Sequence, residues 1–269
     1  MKLKYLGTAA AEGFPAIFCN CKNCSEARRL GGKNIRTRSQ SLINSDLLID
    51  FPADTYHHFI TNGIEGDRIR YLIITHDHAD HYYRRDLQRK RTPYAHNMRE
   101  ESLKLLCPKD VADDLGDTAK NVEITVAKEF ETVKFGDYEI TPFPARHSPG
   151  KDAFIYLIKA DKTILYAHDT GYFKESIFTY LEENKITLDM ISLDCTNVNI
   201  PIEDKSGHMG FPNIERVLAK LKEIGAVTDK CIKYVNHFSH NGNPLHEHLE
   251  SEAKKYGLSV SYDGCVVDI

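Results

Sequence analysis

RYLIITHDHADHYY, residues 70–83, decides how the rest of the chain is read. Tyr71 to Thr75 is a short apolar, β-branched run of the kind that forms a buried strand. It leads straight into His76, Asp77, His78, Asp80 and His81. Alternate residues of an extended segment face the same way, so His76 and His78 can grip one ion together. Asp80 and His81 lie past the strand end, where a turn presents them to a second ion beside the first. Imidazole and carboxylate suit zinc, manganese or iron, and residue types alone do not choose among them.

The composition is that of a soluble globular protein. Of 269 residues, 41% are hydrophobic and 28% charged, enough to bury a sizeable core. A net charge of -4 and a pI near 6.4 disfavour nucleic acid as a partner, because such binders are normally basic. Arg84, Arg85, Arg89, Lys90 and Arg91 form one local basic run, read as a solvated helix face. No stretch approaches the roughly 18 apolar residues of a membrane helix, and the N-terminal residues lack the pattern of a signal peptide. The seven cysteines, three of them between residues 19 and 24, make poor disulfide arithmetic and good metal arithmetic. A reducing cytoplasm fits that usage best.

Outward from the histidine cluster, short β-rich runs alternate with helical text. Strands are expected at residues 2–7, 39–45, 46–51 and 70–75, then at 132–145, 152–160, 162–169, 190–196, 231–237 and 261–269. Helices are expected at 53–63, around 84–91, and at 99–106, 173–184, 213–225 and 248–257, with Gly225 and Gly257 placed to end two of them. No linker or repeat divides the chain, so one domain is expected, two packed sheets with helices outside. Residues 94–126 carry no interpretable motif, and either cover the site or pack between the sheet halves. His57, His58 and His96 are given no role. Cys107, Cys195 and Cys231 read as small buried residues.

His-x-His-x-Asp-His after a strand resembles the signature of the metallo-β-lactamase superfamily, and His76, His78, Asp80 and His81 match it position for position. The resemblance implies an α/β fold, the αβ/βα four-layer sandwich of two mixed sheets with helices outside. It also implies three further ligands at later strand ends. His147 would complete the first metal's shell with His76 and His78. Asp169 would bridge both ions, and His237 would join Asp80 and His81 on the second. His168 stands beside Asp169, but strand alternation puts the two on opposite faces, and the family pattern selects Asp169.

Cys19-x-Cys21-x-x-Cys24 supplies three thiolates in one tight loop, a good match to a closed tetrahedral zinc that takes a fourth ligand from elsewhere. His240, His246, His248 and Cys265 are the candidates. The loop is similar to that of the branch containing the PhnP phosphodiesterases and the PqqB-type proteins. In the PhnP branch a histidine three residues after the last catalytic histidine completes the site, which implies His240 here and a structural zinc.

His208, in Ser206-Gly-His-Met-Gly210, is a loop histidine with no ligand duty. The same branch implies that it faces the substrate phosphate, as general acid or phosphate ligand. Asp80 would tune the second ion and hydrogen-bond the attacking hydroxide. Asp77 is expected to stay off the metals, and Asp50 to accept the second ring proton of a ligand histidine. The resulting expectation is a binuclear phosphodiesterase with two divalent ions, zinc or manganese with iron also compatible. Its substrate would be a small phosphodiester of cyclic-nucleotide or ribose type, with no membrane partner and a homodimer permitted. The rivals are an RNase Z-like tRNA 3′ endonuclease, a lactone or thioester hydrolase, and a non-catalytic PqqB-like binding protein.

Overall fold

A computed structural model describes all residues, 1–269. The first sheet is built mainly from the N-terminal half, with β1 (Lys2–Gly7), β2 (Gln40–Ile43), β3 (Leu47–Ile49), β4 (Tyr71–Ile73), β5 (Leu103–Cys107) and β6 (Val122–Val126). The second holds β7 (Val133–Phe135), β8 (Tyr138–Pro144), β9 (Phe154–Lys159), β10 (Thr163–Ala167), β11 (Met190–Asp194), β12 (Ile232–Asn236) and β13 (Ser259–Val260). The final strand, β14 (Val266–Asp268), returns to the first sheet beside β1. The strand orders are β14-β1-β2-β3-β4-β5-β6 and β13-β12-β11-β10-β9-β8-β7. Each sheet is antiparallel on one side and parallel on the other, the parallel parts being β3 to β6 and β10 to β13.

Alternation along β4 shows how the layers are specified. Tyr71 and Ile73 face the second sheet, meeting Tyr156, Ile158 and Tyr166 in the central core. Leu72 and Ile74 point the other way, into a layer with Phe59 of α2 (Thr55–Asn62) and with Val111 and Leu115 of α4 (Lys109–Leu115). Behind the second sheet, Leu165, Leu193 and Val235 pack under α5 (Glu175–Glu183), α6 (Phe211–Glu223) and α7 (His246–Lys254). The fold is therefore the metallo-β-lactamase αβ/βα sandwich. A slip of one residue in β4 would exchange its two apolar faces and its histidines at once, so register is firmly set. Gly225 and Gly257 take left-handed backbone, φ 75° and 66°, just past α6 and α7.

Several stretches differ from the sequence expectation. Residues 99–106, expected as a helix, instead lead into β5, which pairs in parallel with β4 and β6. Leu103, Leu105 and Leu106 are buried on the two sheet faces, and a short leucine run fits a buried strand as well as a helix by period alone. Residues 94–126 as a whole supply β5, α4 and all of β6, extending the first sheet rather than covering the site or filling the space between sheets. The basic run forms only one short turn, α3 (Arg84–Leu87), with Arg84 paired to Asp114 at 2.9 Å and Arg89 to Asp86. The cysteine segment continues into α1 (Lys22–Leu30), which had no sequence forecast. No helix is long and apolar enough to cross a membrane.

His58, unassigned from sequence, is a buried brace. One ring nitrogen, Nδ1, lies 2.6 Å from Gln40 Oε1, and the other, Nε2, 2.6 Å from Thr37 Oγ1. Burial holds its pKa down at about 4, so the ring is neutral in the folded protein.

Candidate metal centre

The carboxyl ends of the parallel strands converge, and the loops leaving them carry the polar groups, the usual location for a site in open α/β sheets. His76, His78, Asp80 and His81 follow β4, Asp169 follows β10, Asp194 ends β11 and His237 follows β12. His147 comes in on the loop after β8. Candidate ligand atoms of His76, His78 and His147 lie within 4.8 Å of one another, as do those of Asp80, His81, Asp169 and His237. Asp169 Oδ2 joins the two groups, 3.8 Å from His76 Nε2 and in contact with His81 Nε2.

Each histidine is aimed by a partner on its other nitrogen. Thr75 Oγ1 sits 3.0 Å from His76 Nδ1, Asp50 Oδ2 2.7 Å from His81 Nδ1, and Thr196 Oγ1 2.9 Å from His237 Nδ1. His147 donates from Nδ1 to the Gly207 carbonyl at 3.1 Å. His78 is turned round, with Nε2 at 3.2 Å from Ser148 Oγ and Nδ1 at 3.1 Å from His147 Nε2. Holding one ring nitrogen in this way fixes the tautomer and leaves a lone pair on the other.

The test of whether an ion fits is what those inward atoms touch. His76 Nε2, His81 Nε2, His237 Nε2 and both carboxylate oxygens of Asp169 are buried and make no well-formed hydrogen bond, although Asp169 Oδ2 and His81 Nε2 touch each other. Buried polar atoms are nearly always paired, and leaving one bare costs about 1–3 kcal/mol. Five such atoms converging on one small volume are the donor set of a cation site. Asp50, Asp169 and His237 also take left-handed backbone, with φ of 64°, 50° and 64°, strain of about 1–3 kcal/mol each that typically collects at functional sites. The electrostatics agree. Burial works against an ionised Asp80, yet His81 and His237 outweigh it and hold the carboxyl well below its usual range. Burial also opposes charge on His81, but Asp169, Asp80 and Asp50 around it overcome this and favour its protonated form. A divalent ion competes with that proton for the same nitrogen.

His208 reaches the same pocket from the loop between β11 and α6. Its Nδ1 is 3.0 Å from Asp194 Oδ2 and 3.1 Å from Thr196 Oγ1, and 3.3 Å from Asp169 Oδ1. Burial depresses its basicity, but Asp194 and Asp169 outweigh this and raise its pKa to about 9, making it an imidazolium at neutral pH. Asp194 had no role from sequence. It is fully buried and also accepts from the backbone N–H groups of Asp169, Thr196 and Met209, at 3.1, 3.1 and 2.9 Å. The signal was present, since Asp194 closes an apolar strand just as Asp50 closes β3. Asp77 is half-buried outside the ligand groups and pairs with Lys151. His168 faces away, bonded to Ser192 and Asn236 and packed on Tyr166.

The His208 loop is seated against the Asp169 loop where only glycine fits. A Cβ on Gly171 would lie 1.9 Å from the Ser206 carbonyl oxygen. Gly171→Ala is expected to push the two loops apart, costing about 1–3 kcal/mol of stability. Activity should fall further than stability alone explains, which thermal unfolding and kinetics on one preparation will show.

A second cluster lies on the neighbouring loops. His240 Nδ1 is 3.4, 3.6 and 3.7 Å from the sulfurs of Cys19, Cys21 and Cys24. A zinc tetrahedron with ordinary metal–ligand lengths has edges of about 3.5–3.8 Å, a range close to these three nitrogen–sulfur distances. The His240 contact holds the Cys21 thiol down at about 6, whereas burial pushes Cys24 up to about 12. An ion entering here releases the Cys24 proton. The other candidates lie elsewhere: His246 is bound to Arg36 and Glu250, and Cys265 is in the central core.

The family model of the beta-lactamase superfamily domain matches residues 49–232. That span holds six of the seven clustered residues and His208, and leaves out His237 and the cysteine–His240 group. Among solved structures, a diphosphatase from the PhnP family superposes with a TM-score of 0.76 at 21% identity, over 100% of this chain and 97% of that one. Zn²⁺-bound PqqB from Methylobacterium extorquens gives 0.73 at 16% identity, over 100% of both chains. The short form of human tRNase Z gives 0.65 at 14%, over 100% of this chain and 99% of that one. A search of curated proteins finds no match. At these identities the structural likeness is one of fold.

Proposed function

The chain belongs to the beta-lactamase superfamily, and from that premise we propose that it is a metal-dependent phosphodiesterase acting on a small phosphodiester. His76, His78 and His147 would hold one divalent ion and Asp80, His81 and His237 the other, with Asp169 shared between them. Zinc or manganese would suit this donor set, and iron is also compatible. Bound there, such ions supply a nucleophile from water at neutral pH and neutralise charge on the substrate oxygens. Cys19, Cys21, Cys24 and His240 would hold a structural zinc that ties the N-terminal loop to the loop after β12.

The observation that carries phosphoryl over carbonyl chemistry is the Asp194–His208 pair. Asp194 and Asp169 both lie against Nδ1 of a cationic ring, and Nε2 has no hydrogen bond to the protein. An imidazolium so held can contact a phosphoryl oxygen and deliver a proton to a departing alkoxide. Asp194 would serve as the positioning residue that keeps the ring oriented and charged. Asp80, beside His81 and His237, is placed to accept a hydrogen bond from the attacking water.

The PhnP-family neighbour is a diphosphatase, which brings in phosphoric anhydrides as a second substrate class. The pocket around His78, Asp80, His147, Asp169, His208 and His237 has no lysine or arginine in its lining, which favours a singly charged diester over a multiply charged diphosphate. A substrate panel separates the readings. With manganese or zinc supplied, bis(p-nitrophenyl) phosphate should be hydrolysed, and a diphosphate, a lactone and a thioester should be turned over far more slowly. Fast lactone or thioester cleavage with an inert diester would reverse the assignment.

A further inference from the structure

Glu12, in the loop after β1, lies on the wall of the same pocket as His78, Asp80, Asp169, His208 and His237. That loop is sewn to the His237 loop by Ala10 N–H to Phe238 O at 3.0 Å and Phe238 N–H to Thr8 O at 3.0 Å. Glu12 is further fixed by its own carboxylate. Oε1 accepts from Ser239 Oγ at 2.7 Å and from the His240 backbone N–H at 3.3 Å. Oε2 takes no hydrogen bond from the protein, and about a third of the side chain, 31%, is exposed. One oxygen is thus an anchor and the other an unused acceptor on a side chain that lines the pocket.

Among the residues lining that pocket, Glu12 is the one charged side chain outside the two ligand groups and the His208 pair. A second phosphate or a carboxylate on the substrate would be repelled by it. A hydrogen-bond donor would be held, since an ionised acceptor makes a stronger hydrogen bond than a neutral one.

We propose that Glu12 is a specificity-determining residue that accepts a hydrogen bond from a hydroxyl on the alcohol portion of the substrate. This selects hydroxyl-bearing phosphodiesters over plain alkyl ones. The inference rests on the phosphodiesterase reading and adds the substrate class to it. Glu12→Gln is the informative change. The amide keeps the side chain's shape and its Oε1 anchor, and replaces the free acceptor with a donor.

The test uses three p-nitrophenyl phosphodiesters with the same leaving group and different second alcohols: ethanol, glycerol and ethanolamine. Wild-type protein should favour the glyceryl ester. Glu12→Gln should raise KM for that ester by about tenfold, leave kcat near the wild-type value, and change the ethyl ester by less than about twofold. Zinc bound by the thiolate group, measured by elemental analysis, should stay as in wild type. Equal losses on the ethyl and glyceryl esters, or lost zinc, would reduce Glu12 to a positioning role and overturn the proposal. Selective loss on the aminoethyl ester alone would overturn it in favour of an ammonium donor, and no selective change would overturn it outright. If wild-type protein cleaves none of the three, the phosphodiesterase reading fails first and the Glu12 assignment falls with it. A wild type that cleaves all three, with a variant that discriminates as before, rejects Glu12 alone.

Discussion

Asp169→Ala should abolish hydrolysis, lowering kcat/KM by about 10³-fold or more, equivalent to roughly 4 kcal/mol of transition-state stabilisation. The Asp169 carboxylate approaches both ligand groups. Its Oδ2 lies between His76 and His81, and its Oδ1 is 3.2 Å from His237 Nδ1. Removing it takes the shared carboxylate from a set of imidazoles and one remaining acid, so both ions should bind more weakly. Elemental analysis is the accompanying readout. The variant should lose the active-site metals and keep the zinc at Cys19, Cys21, Cys24 and His240, which shares no ligand with the first site. Loss of activity with full metal content would instead assign Asp169 a role other than holding ions.

His208→Ala should do the reverse, keeping metal and losing rate. A positioned general acid contributes typically about 10²–10⁴-fold, and the loss should follow the leaving group. On a diester with an alkoxide leaving group the variant should fall by at least about 10²-fold. On bis(p-nitrophenyl) phosphate, whose departing anion needs little help, the fall should be much smaller. Equal falls on both would mean that His208 holds a phosphoryl oxygen and does not donate the proton. Asp194→Asn is the companion variant. It keeps the contact to Nδ1 but removes the charge that holds the ring as an imidazolium, and should reproduce most of the His208→Ala effect.

How much of this was legible beforehand differs by residue. The histidine cluster after β4 could be read locally, because ligands on one extended segment leave a spacing that few other structures require. His147, Asp169 and His237 could be ordered only through the family likeness. Each is a single residue at a strand end, and nothing in its neighbours distinguishes it from a structural histidine or aspartate. His168 shows the difficulty, since it is as buried as Asp169 and one residue away but bonds Ser192 and Asn236 on the other side of the chain. Glu12 was silent for the same reason, and Asp194 offered only its place at the end of an apolar strand. Their partners lie 227 and 14 residues away, Ser239 and His208, and meet them only when the sheets and loops close. Two packed sheets with helices outside were legible from the alternation of strands and helices, and the four-layer αβ/βα arrangement came with the family likeness. Strand β5 was not, because a short leucine run satisfies either period and its pairing with β4 decides the outcome.

The central claim is that two ions in the histidine–aspartate cluster make this chain a phosphodiesterase. The direct measurement is a metal titration of chelator-treated wild-type protein, with bound ion and bis(p-nitrophenyl) phosphate turnover followed together. The account predicts one tight zinc at the thiolate group that brings no activity, then turnover that climbs as two further equivalents of manganese or zinc are bound. Protein that binds all its metal and leaves the diester intact would contradict the account. So would turnover that survives complete removal of metal.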